Sequence, residues 1–504
     1  MTTAVLHGAP DRAQADAQVW APALRHGYLV AAAVLAPLCV PAGPGQTSAL
    51  DFVNLIVLFA AAFLLLVPGV RVRVPLLAPS AVVLLGSLLA LSQAPSLRLG
   101  ALALAQDVYL FAWFVLIVNL LRSEQDVRVL LNAWTATAVA VALVALGQIV
   151  AHDGSLASFL GSRGFRPSGT LYNPNMLADY LVTSLFLAAA ALHGRSRLLR
   201  FLVAGALLAG LLATKSNGGM AALAAGALAW VVVRALTRRV PLAAIVAVIC
   251  IVAAGGGLAA WLHGEWGVGE SALTAFRQHT FAGRLEHSSE SRLKIWDQLQ
   301  HSYAHSPLGI GPGNSGAITL GIAERERPDS FMSKEAHSDY LAYAIERGPL
   351  GVIGLLWWTC AGFAAVAAWA GAARALHRDR ASRSATDGPG PAPRAPRYAR
   401  EPGDAAARRR MAEWREALSA AMAAVLAASA MHSSVIEKLH FRHFWLVLGM
   451  VCGAPLVARG PAPARPAASQ RPAARGAEMV PLRRALASGS AVTTRRALSA
   501  KVAS

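Results

Sequence analysis

Two polar stretches of this chain are rich in cationic and amide side chains. Arg163, Arg166, Asn173 and Asn175 lie in one short stretch before an apolar run, and Lys215 lies in a polar turn between two further apolar runs. The guanidinium group is a planar fork of donors that suits phosphate oxygens, so we expect the cations to bind a phosphate group. The asparagines are candidates for hydrogen bonds to sugar hydroxyls, although we favour capping of the next helix, a role that suits asparagine.

A longer polar segment, residues 263–348, supplies two more residues that could do chemistry. Arg292 is a further candidate phosphate ligand, and His337 is a candidate proton acceptor because histidine titrates near neutral pH. A positioned base can take a proton from an attacking group, and cations can stabilise negative charge that grows on a phosphate oxygen. The sequence therefore predicts a site with one base and several phosphate-binding cations.

Other polar and aromatic residues are interpreted as structural. Gly309, Gly311 and Gly313 indicate a turn with unusual dihedral angles, and Glu346 with Arg347 indicates an ion pair. The tryptophans expected at the lipid or its interface are Trp357, Trp358, Trp414 and Trp445. The histidines expected only to pack or cap are His263, His279, His287, His301, His305, His432, His440 and His443.

No metal or nucleotide motif accompanies these residues. Asp153, Asp329 and Asp339 lack paired acidic spacing within one loop, the outer segments lack a DxD motif, and no GxxxxGK[ST] loop occurs in the chain. We therefore expect no metal ion and no cofactor.

The composition indicates the elements that must position these residues. Of the 504 residues, 55% are hydrophobic and only 14% are charged, whereas soluble domains hold about 25% charged residues. This excludes an ordinary soluble enzyme and a disordered chain, and four cysteines without CxxC spacing exclude a disulfide or zinc framework. Since about 20 apolar residues span a bilayer, we predict an all-α polytopic membrane protein with about 12 transmembrane helices. The predicted spans are 27–45, 49–67, 75–93, 101–121, 129–151, 175–193, 201–215, 218–234, 241–262, 349–373, 416–434 and 442–458.

The distribution of basic residues predicts the orientation. The chain has 46 lysine and arginine residues against 27 acidic ones, a formal net charge of +19. Because most of the basic residues lie between apolar runs, we interpret them as a membrane-orientation signal and expect no nucleic-acid partner. With the N-terminus inside, the inner segments hold most of them. Both termini are then cytoplasmic, and the candidate site residues all lie on the outer face.

This topology predicts the organisation of the chain. Because residues 1–26 lack the apolar core of a signal peptide, we expect the first span to act as an uncleaved anchor. Two stretches rich in Pro, Ala, Arg and Gly, residues 381–407 and 460–504, are expected to be disordered on the cytoplasmic face. The predicted units are a cytoplasmic tail at 1–26, nine spans at 27–262 with an outer loop at 152–174, a large helical outer segment at 263–348, three spans at 349–458 with an inner linker at 374–415, and a basic tail at 459–504.

Several short motifs occur in an order that resembles the O-antigen ligase and polymerase superfamily. Residues 166–169 with 173–178 resemble its R-x-x-G…N-P-N-x-x-A signature, and residues 292–296 resemble its R-x-x-x-W element. Residues 307–313 resemble its P-L-x-x-G-x-G segment, and residues 337–348 resemble its H-[NS]-x-[YF]-L…E-x-G element. Each motif is short, and the ordered set carries the resemblance.

The resemblance implies a metal-independent glycosyltransferase with a GT-C-like fold in the bacterial inner membrane and a periplasmic active site. It implies a glycan on undecaprenyl diphosphate as the donor and a sugar hydroxyl of the lipid A–core as the acceptor. This is the ligation step of lipopolysaccharide biosynthesis. One departure is Lys215-Ser216-Asn217-Gly218, where relatives often show Ser-Arg-Gly, and we expect Lys215 to supply the charge from a shifted position.

Three functions stay open from the sequence. The first is this ligase, and the second is a related polymerase or a protein O-oligosaccharyltransferase, which shares the donor chemistry. The third is a transporter of a lipid-linked solute, which would show paired halves, broken helices and intramembrane charges. The sequence shows no clear sign of those features, because its polar residues gather in loops, and this favours an enzyme.

Overall fold

The computed structural model describes residues 21–39, 48–64, 72–153, 165–238, 295–297, 299–301, 303–316, 336–386 and 402–458. These ranges fold mainly into α-helices, and their one β-type contact is an isolated antiparallel bridge between Cys39 and Ser48. The helices are α1 (Pro22–Leu35), α2 (Ala49–Leu64), α3 (Leu77–Leu91), α4 (Leu97–Leu120), α5 (Glu124–Asp153), α6 (Pro174–Ala191), α7 (Arg197–Ala213), α8 (Asn217–Arg238), α9 (Asp339–Thr386), α10 (Pro402–Ser433) and α11 (Arg442–Ala458).

Many of these helices are apolar enough to lie within a membrane. Each predicted span except the ninth overlaps a described helix, and the ninth, 241–262, lies outside the described residues. Within the described ranges, five helices are long and apolar enough to cross a bilayer: Leu97–Leu120, Glu124–His152, Pro174–Ala191, Asn217–Thr237 and Asp339–Gly371. Over the described ranges the protein is therefore an all-α, multi-pass membrane protein, and the total of about 12 spans stays a prediction.

Helix α2 presents an apolar stripe to the outside of the bundle. Phe52, Leu55, Ile56, Phe59 and Phe63 follow an i, i+3, i+4 pattern, and each is more than half exposed. Side chains at this spacing share one face of a helix. Such a continuous apolar face suits contact with lipid rather than with water.

Three of the four tryptophans contradict our expectation of a position at the lipid or its interface. Trp358, Trp414 and Trp445 are buried, and only Trp357 among the four is exposed, at 46%. The Trp358 and Trp445 rings pack edge to face at 5.5 Å, and the Arg128 guanidinium lies 4.0 Å from the centre of the Trp414 ring. For these three residues the prediction was wrong, because hydropathy does not tell which face of a helix meets its neighbours.

Helix α9 is broken where the sequence has Gly348-Pro349. Gly348 has φ 64° and ψ −162°, a conformation open essentially to glycine alone. The break is also crowded, because a Cβ atom at Gly348 would lie 2.6 Å from the backbone oxygen of Leu308. A Cβ atom at Gly309 would lie 2.7 Å from the backbone oxygen of Glu346. The two glycines thus let the 309–315 turn pack against the start of α9.

Substitution of Gly348 by alanine should destabilise the fold, because the side chain meets both the strained dihedral angles and a backbone oxygen. We expect Gly348→Ala to lower the free energy of unfolding by about 1–3 kcal/mol. The matched control is Gly205→Ala in α7, where a Cβ atom meets nothing within 4 Å and alanine favours the helix. Thermal unfolding of the purified chain measures both, and equal melting temperatures would contradict the packing described here.

Candidate active site

The polar turns that carry most of the described candidate residues meet at one end of the helix bundle. The α5–α6 loop contacts the α7–α8 turn through Arg166, whose Nε donates to the backbone oxygen of Thr214 at 2.7 Å. The α7–α8 turn also contacts the α10–α11 turn, because a Cβ atom on Gly218 would lie 2.8 Å from a methyl carbon of Val435. These contacts place segments distant in sequence around one site.

The Arg166 guanidinium is held by two segments. Besides its bond to Thr214, it donates from a terminal nitrogen to Asn175 Oδ1 at 2.8 Å, and Ser216 Oγ donates to the same oxygen at 2.9 Å. Lys215 lies between these two contacts with φ 50°, in the left-handed region. Arg166 and Lys215, predicted separately as phosphate ligands, are therefore carried by segments in direct contact.

The two asparagines have different roles in this arrangement. Asn173 is the N-cap of α6, with its side-chain oxygen accepting the Asn175 backbone N–H at 2.8 Å and Pro174 following as the first helical residue. Asn175 instead orients Arg166 and Ser216. Capping is thus observed for Asn173, and Asn175 joins the loop to the turn.

The loop before Asn173 is itself pinned to α5. Gln148 Oε1 accepts the backbone N–H groups of Ser168 and Gly169 at 3.1 and 2.9 Å, and its Nε2 donates to the Gly169 oxygen at 2.9 Å. A single amide side chain satisfies donors and an acceptor at once. The R-x-x-G element therefore has a fixed backbone, which limits where Arg166 can point.

His337 lies at the start of α9 against the α10–α11 turn. Its φ is 54°, and its backbone N–H donates to Glu437 Oε1 at 3.2 Å. In return, Asp339 Oδ1 accepts the backbone N–H groups of Lys438 and Leu439 at 2.9 and 3.3 Å. Each turn thus supplies a carboxylate to the backbone of the other, and we call this arrangement the reciprocal clamp.

Another histidine of the α10–α11 turn is electrostatically distinct. Burial and the charge of the nearby Arg442 guanidinium lower the pKa of His440 to about 3. This imidazole is therefore neutral near neutral pH.

Glu346 fixes the glycine-rich turn to α9. Its carboxylate accepts the N–H of Gly313 at 2.9 Å, and it accepts both the N–H and the hydroxyl of Ser315, at 3.2 and 2.6 Å. Arg347 completes the group, with one terminal nitrogen 3.0 Å from Glu346 and the other 2.7 Å from Asp107 of α4. The predicted ion pair is present, and its role in this structure is to hold the turn.

A buried charge cluster was missed by the sequence analysis. Asp179 of α6 accepts from His432, Lys438 and His443, two of which we had interpreted as ordinary packing histidines. The signal that could have found it is Asp179 itself, an ionisable residue inside an apolar span, which is by default a sign of function.

Two of the predicted phosphate ligands lie outside the part of the chain that the structure describes. Arg163 and Arg292 lie outside the described residues, as does most of the outer segment 263–348, so their roles stay predictions. Among the residues that the structure does describe, no group of three or more His, Cys, Asp or Glu side chains has the arrangement of a metal site.

Paired substitutions should separate the two asparagines. Asn173→Ala removes a helix cap and should lower the free energy of unfolding by about 1 kcal/mol. Asn175→Ala removes the acceptor shared by Arg166 and Ser216, so amide hydrogen exchange should rise in 165–171 and 214–216. Thermal unfolding and exchange mass spectrometry measure the two effects. The same exchange pattern in both variants would show that Asn175 does not join the loop to the turn.

Comparison with known proteins agrees with the resemblance of the motifs. Residues 183–356 match the family model described as O-antigen ligase. A search of curated proteins found no match. The matched range begins within α6 and includes Lys215, Arg292 and His337, whereas Arg166 and Asn175 precede it. Residues 183–356 of the chain are therefore similar to the O-antigen ligase family, and this match supports the resemblance of the motifs.

Proposed function

We propose that this chain is an O-antigen ligase. It transfers a glycan from undecaprenyl diphosphate to a sugar hydroxyl of the lipid A–core, outside the bacterial inner membrane. The observation that carries the proposal is the meeting of two kinds of segment at one end of the bundle. The loop and turn that carry Arg166 and Lys215 lie beside the turn that is clamped to His337. The family match supports enzymatic activity of this superfamily.

The cationic half of the site acts on the leaving group. As the bond between the anomeric carbon and the phosphate oxygen breaks, negative charge grows on the departing diphosphate. The Arg166 guanidinium is already oriented by Thr214 and Asn175, so little reorganisation is needed to stabilise that charge. In this mechanism Lys215 and the two arginines outside the described residues, Arg163 and Arg292, contribute further positive charge.

The side of the site that carries His337 acts on the acceptor. The acceptor oxygen forms the new bond to the anomeric carbon, and its proton passes to the His337 imidazole. A diphosphate is a good leaving group, so the reaction needs no carboxylic acid of the kind that glycosidases use to protonate theirs. One base on one side of the carbon and cations on the other fit an inverting displacement without a metal ion.

The distribution of basic residues supports the location. Most lysines and arginines of the chain lie in segments predicted to be cytoplasmic, which puts both termini in the cytoplasm and the candidate site in the periplasm. A glycan on a lipid carrier and the lipid A–core are substrates that meet this face of the membrane.

The experiment incubates the purified chain with undecaprenyl-diphosphate glycan and either lipid A–core or excess donor. Glycan attached to lipid A–core is the expected product. A lengthened carrier-linked glycan would identify a polymerase instead, and movement of the donor across a vesicle membrane without transfer would identify a transporter.

The base is tested with His337→Asn, because asparagine tolerates the left-handed backbone of this position but cannot act as the base. Turnover should fall by about 10²- to 10⁴-fold while donor binding persists. The matched control is His305→Asn, an exposed residue of the same outer segment whose ring contacts the backbone of His301. Turnover of His337→Asn equal to that of His305→Asn would remove His337 from the mechanism.

A further inference from the structure

The carboxylate of Asp179 is surrounded by three donors in the interior of the bundle. Its Oδ1 lies 2.8 Å from His432 Nδ1 and 2.6 Å from Lys438 Nζ, and its Oδ2 lies 2.8 Å from His443 Nε2. All four side chains are at most 4% exposed. Burial of a charge is costly unless it is paired and hydrogen-bonded, so the cluster is satisfied only when all its members are present.

The position of Asp179 on α6 joins it to the cationic half of the site. Asn175 and Asp179 are four residues apart, and such residues lie one above the other on the same face of a helix. Asn175 holds Arg166 at 2.8 Å, and Asp179 holds Lys438 at 2.6 Å. About one helical turn, a rise of about 6 Å, therefore separates the contact to the cationic loop from the contact to the α10–α11 turn.

The α10–α11 turn carries this connection on to the base. Lys438 directly follows Glu437, whose carboxylate accepts the His337 backbone N–H. The Lys438 backbone N–H is in turn held by Asp339, two residues after His337. A contact at Asp179 is thus linked to His337 through Lys438 and the reciprocal clamp.

We propose that Asp179 is a positioning residue that fixes the spacing between the phosphate-binding cations and the His337 base. It does not touch the substrate, and it acts through Lys438. The inference rests on the proposed function, because the spacing matters only if cations and base act on one substrate.

Substitutions can separate positioning from simple charge balance. Asp179→Asn keeps the shape of the side chain but removes the charge that pairs with Lys438. The double variant Asp179→Asn/Lys438→Met removes both charges and the tie between α6 and the turn. The matched control is Asp126→Asn, a buried carboxylate at the far end of α5 that pairs with Arg25 at 3.1 Å.

Two readouts are needed, of which one is independent of the reaction. Amide hydrogen exchange in 336–341 and 434–441 should rise in both Asp179 variants and stay unchanged in Asp126→Asn. In the ligase assay, kcat should fall by about 10²-fold, since a misplacement of about 1 Å costs this much. The KM for the donor should stay close to that of the unaltered chain. If Asp179→Asn does not fold, the neutral double variant gives the same two readouts.

The outcomes distinguish this inference from the proposed function. Unchanged kcat, a fall in kcat without faster exchange, or the same exchange in Asp126→Asn would overturn the inference. So would recovery of kcat in the double variant, because charge balance would then suffice. If the unaltered chain forms no transfer product, the proposed function is overturned instead. The exchange data test the link from Asp179 to His337 independently of that result.

Discussion

Polar backbone groups in the interior of a membrane protein must find partners within the protein, and this constraint organises the candidate site. The reciprocal clamp is its clearest expression, since carboxylates from two turns satisfy the N–H groups of each other's backbone. Gln148 does the same for the loop that carries Arg166, and Glu346 does so for the glycine-rich turn. Segments far apart in sequence are thereby held in contact at one end of the bundle.

The same contacts explain how a site made of turns can be rigid. Catalysis by fixed charges depends on groups that need not reorganise during the reaction. The Arg166 guanidinium is oriented by a backbone oxygen and an amide, and the His337 backbone is held in a left-handed conformation by a neighbouring carboxylate. Asp179, one helical turn along α6 from Asn175, contacts Lys438, whose backbone N–H is held by Asp339.

Much of the fold follows from local patterns in the sequence. The fold departs from these patterns where α9 continues to Thr386 and α10 begins at Pro402, inside the stretch 381–407 that was expected to be disordered. Elsewhere, apolar runs predicted a span within each described helix, and Asn173 marked the start of α6. These features depend on neighbouring residues alone. The glycines at 309, 311 and 313 likewise have the positive φ values that a turn of this composition indicates.

Contacts between distant segments were beyond the reach of those patterns. The burial of Trp414 and Trp445 depends on which helices are neighbours, and the roles of His432 and His443 depend on a carboxylate more than 250 positions away. Motif spacing could therefore nominate Arg166, Lys215 and His337, but it could not show which segments meet. The distinction between Asn173 as a cap and Asn175 as a tie for Arg166 also needed side-chain geometry.

The central claim is that one lipid-linked diphosphate binds between the cations and the histidine. Its most direct test is an experimental structure of the full chain in a lipid nanodisc with undecaprenyl diphosphate. The account predicts phosphate oxygens within hydrogen-bonding distance of Arg166 and Lys215, with the terminal phosphate, which carries the glycan in the donor, directed toward His337. A diphosphate bound elsewhere, or bound at the cations with His337 on the far side of the bundle, would contradict it.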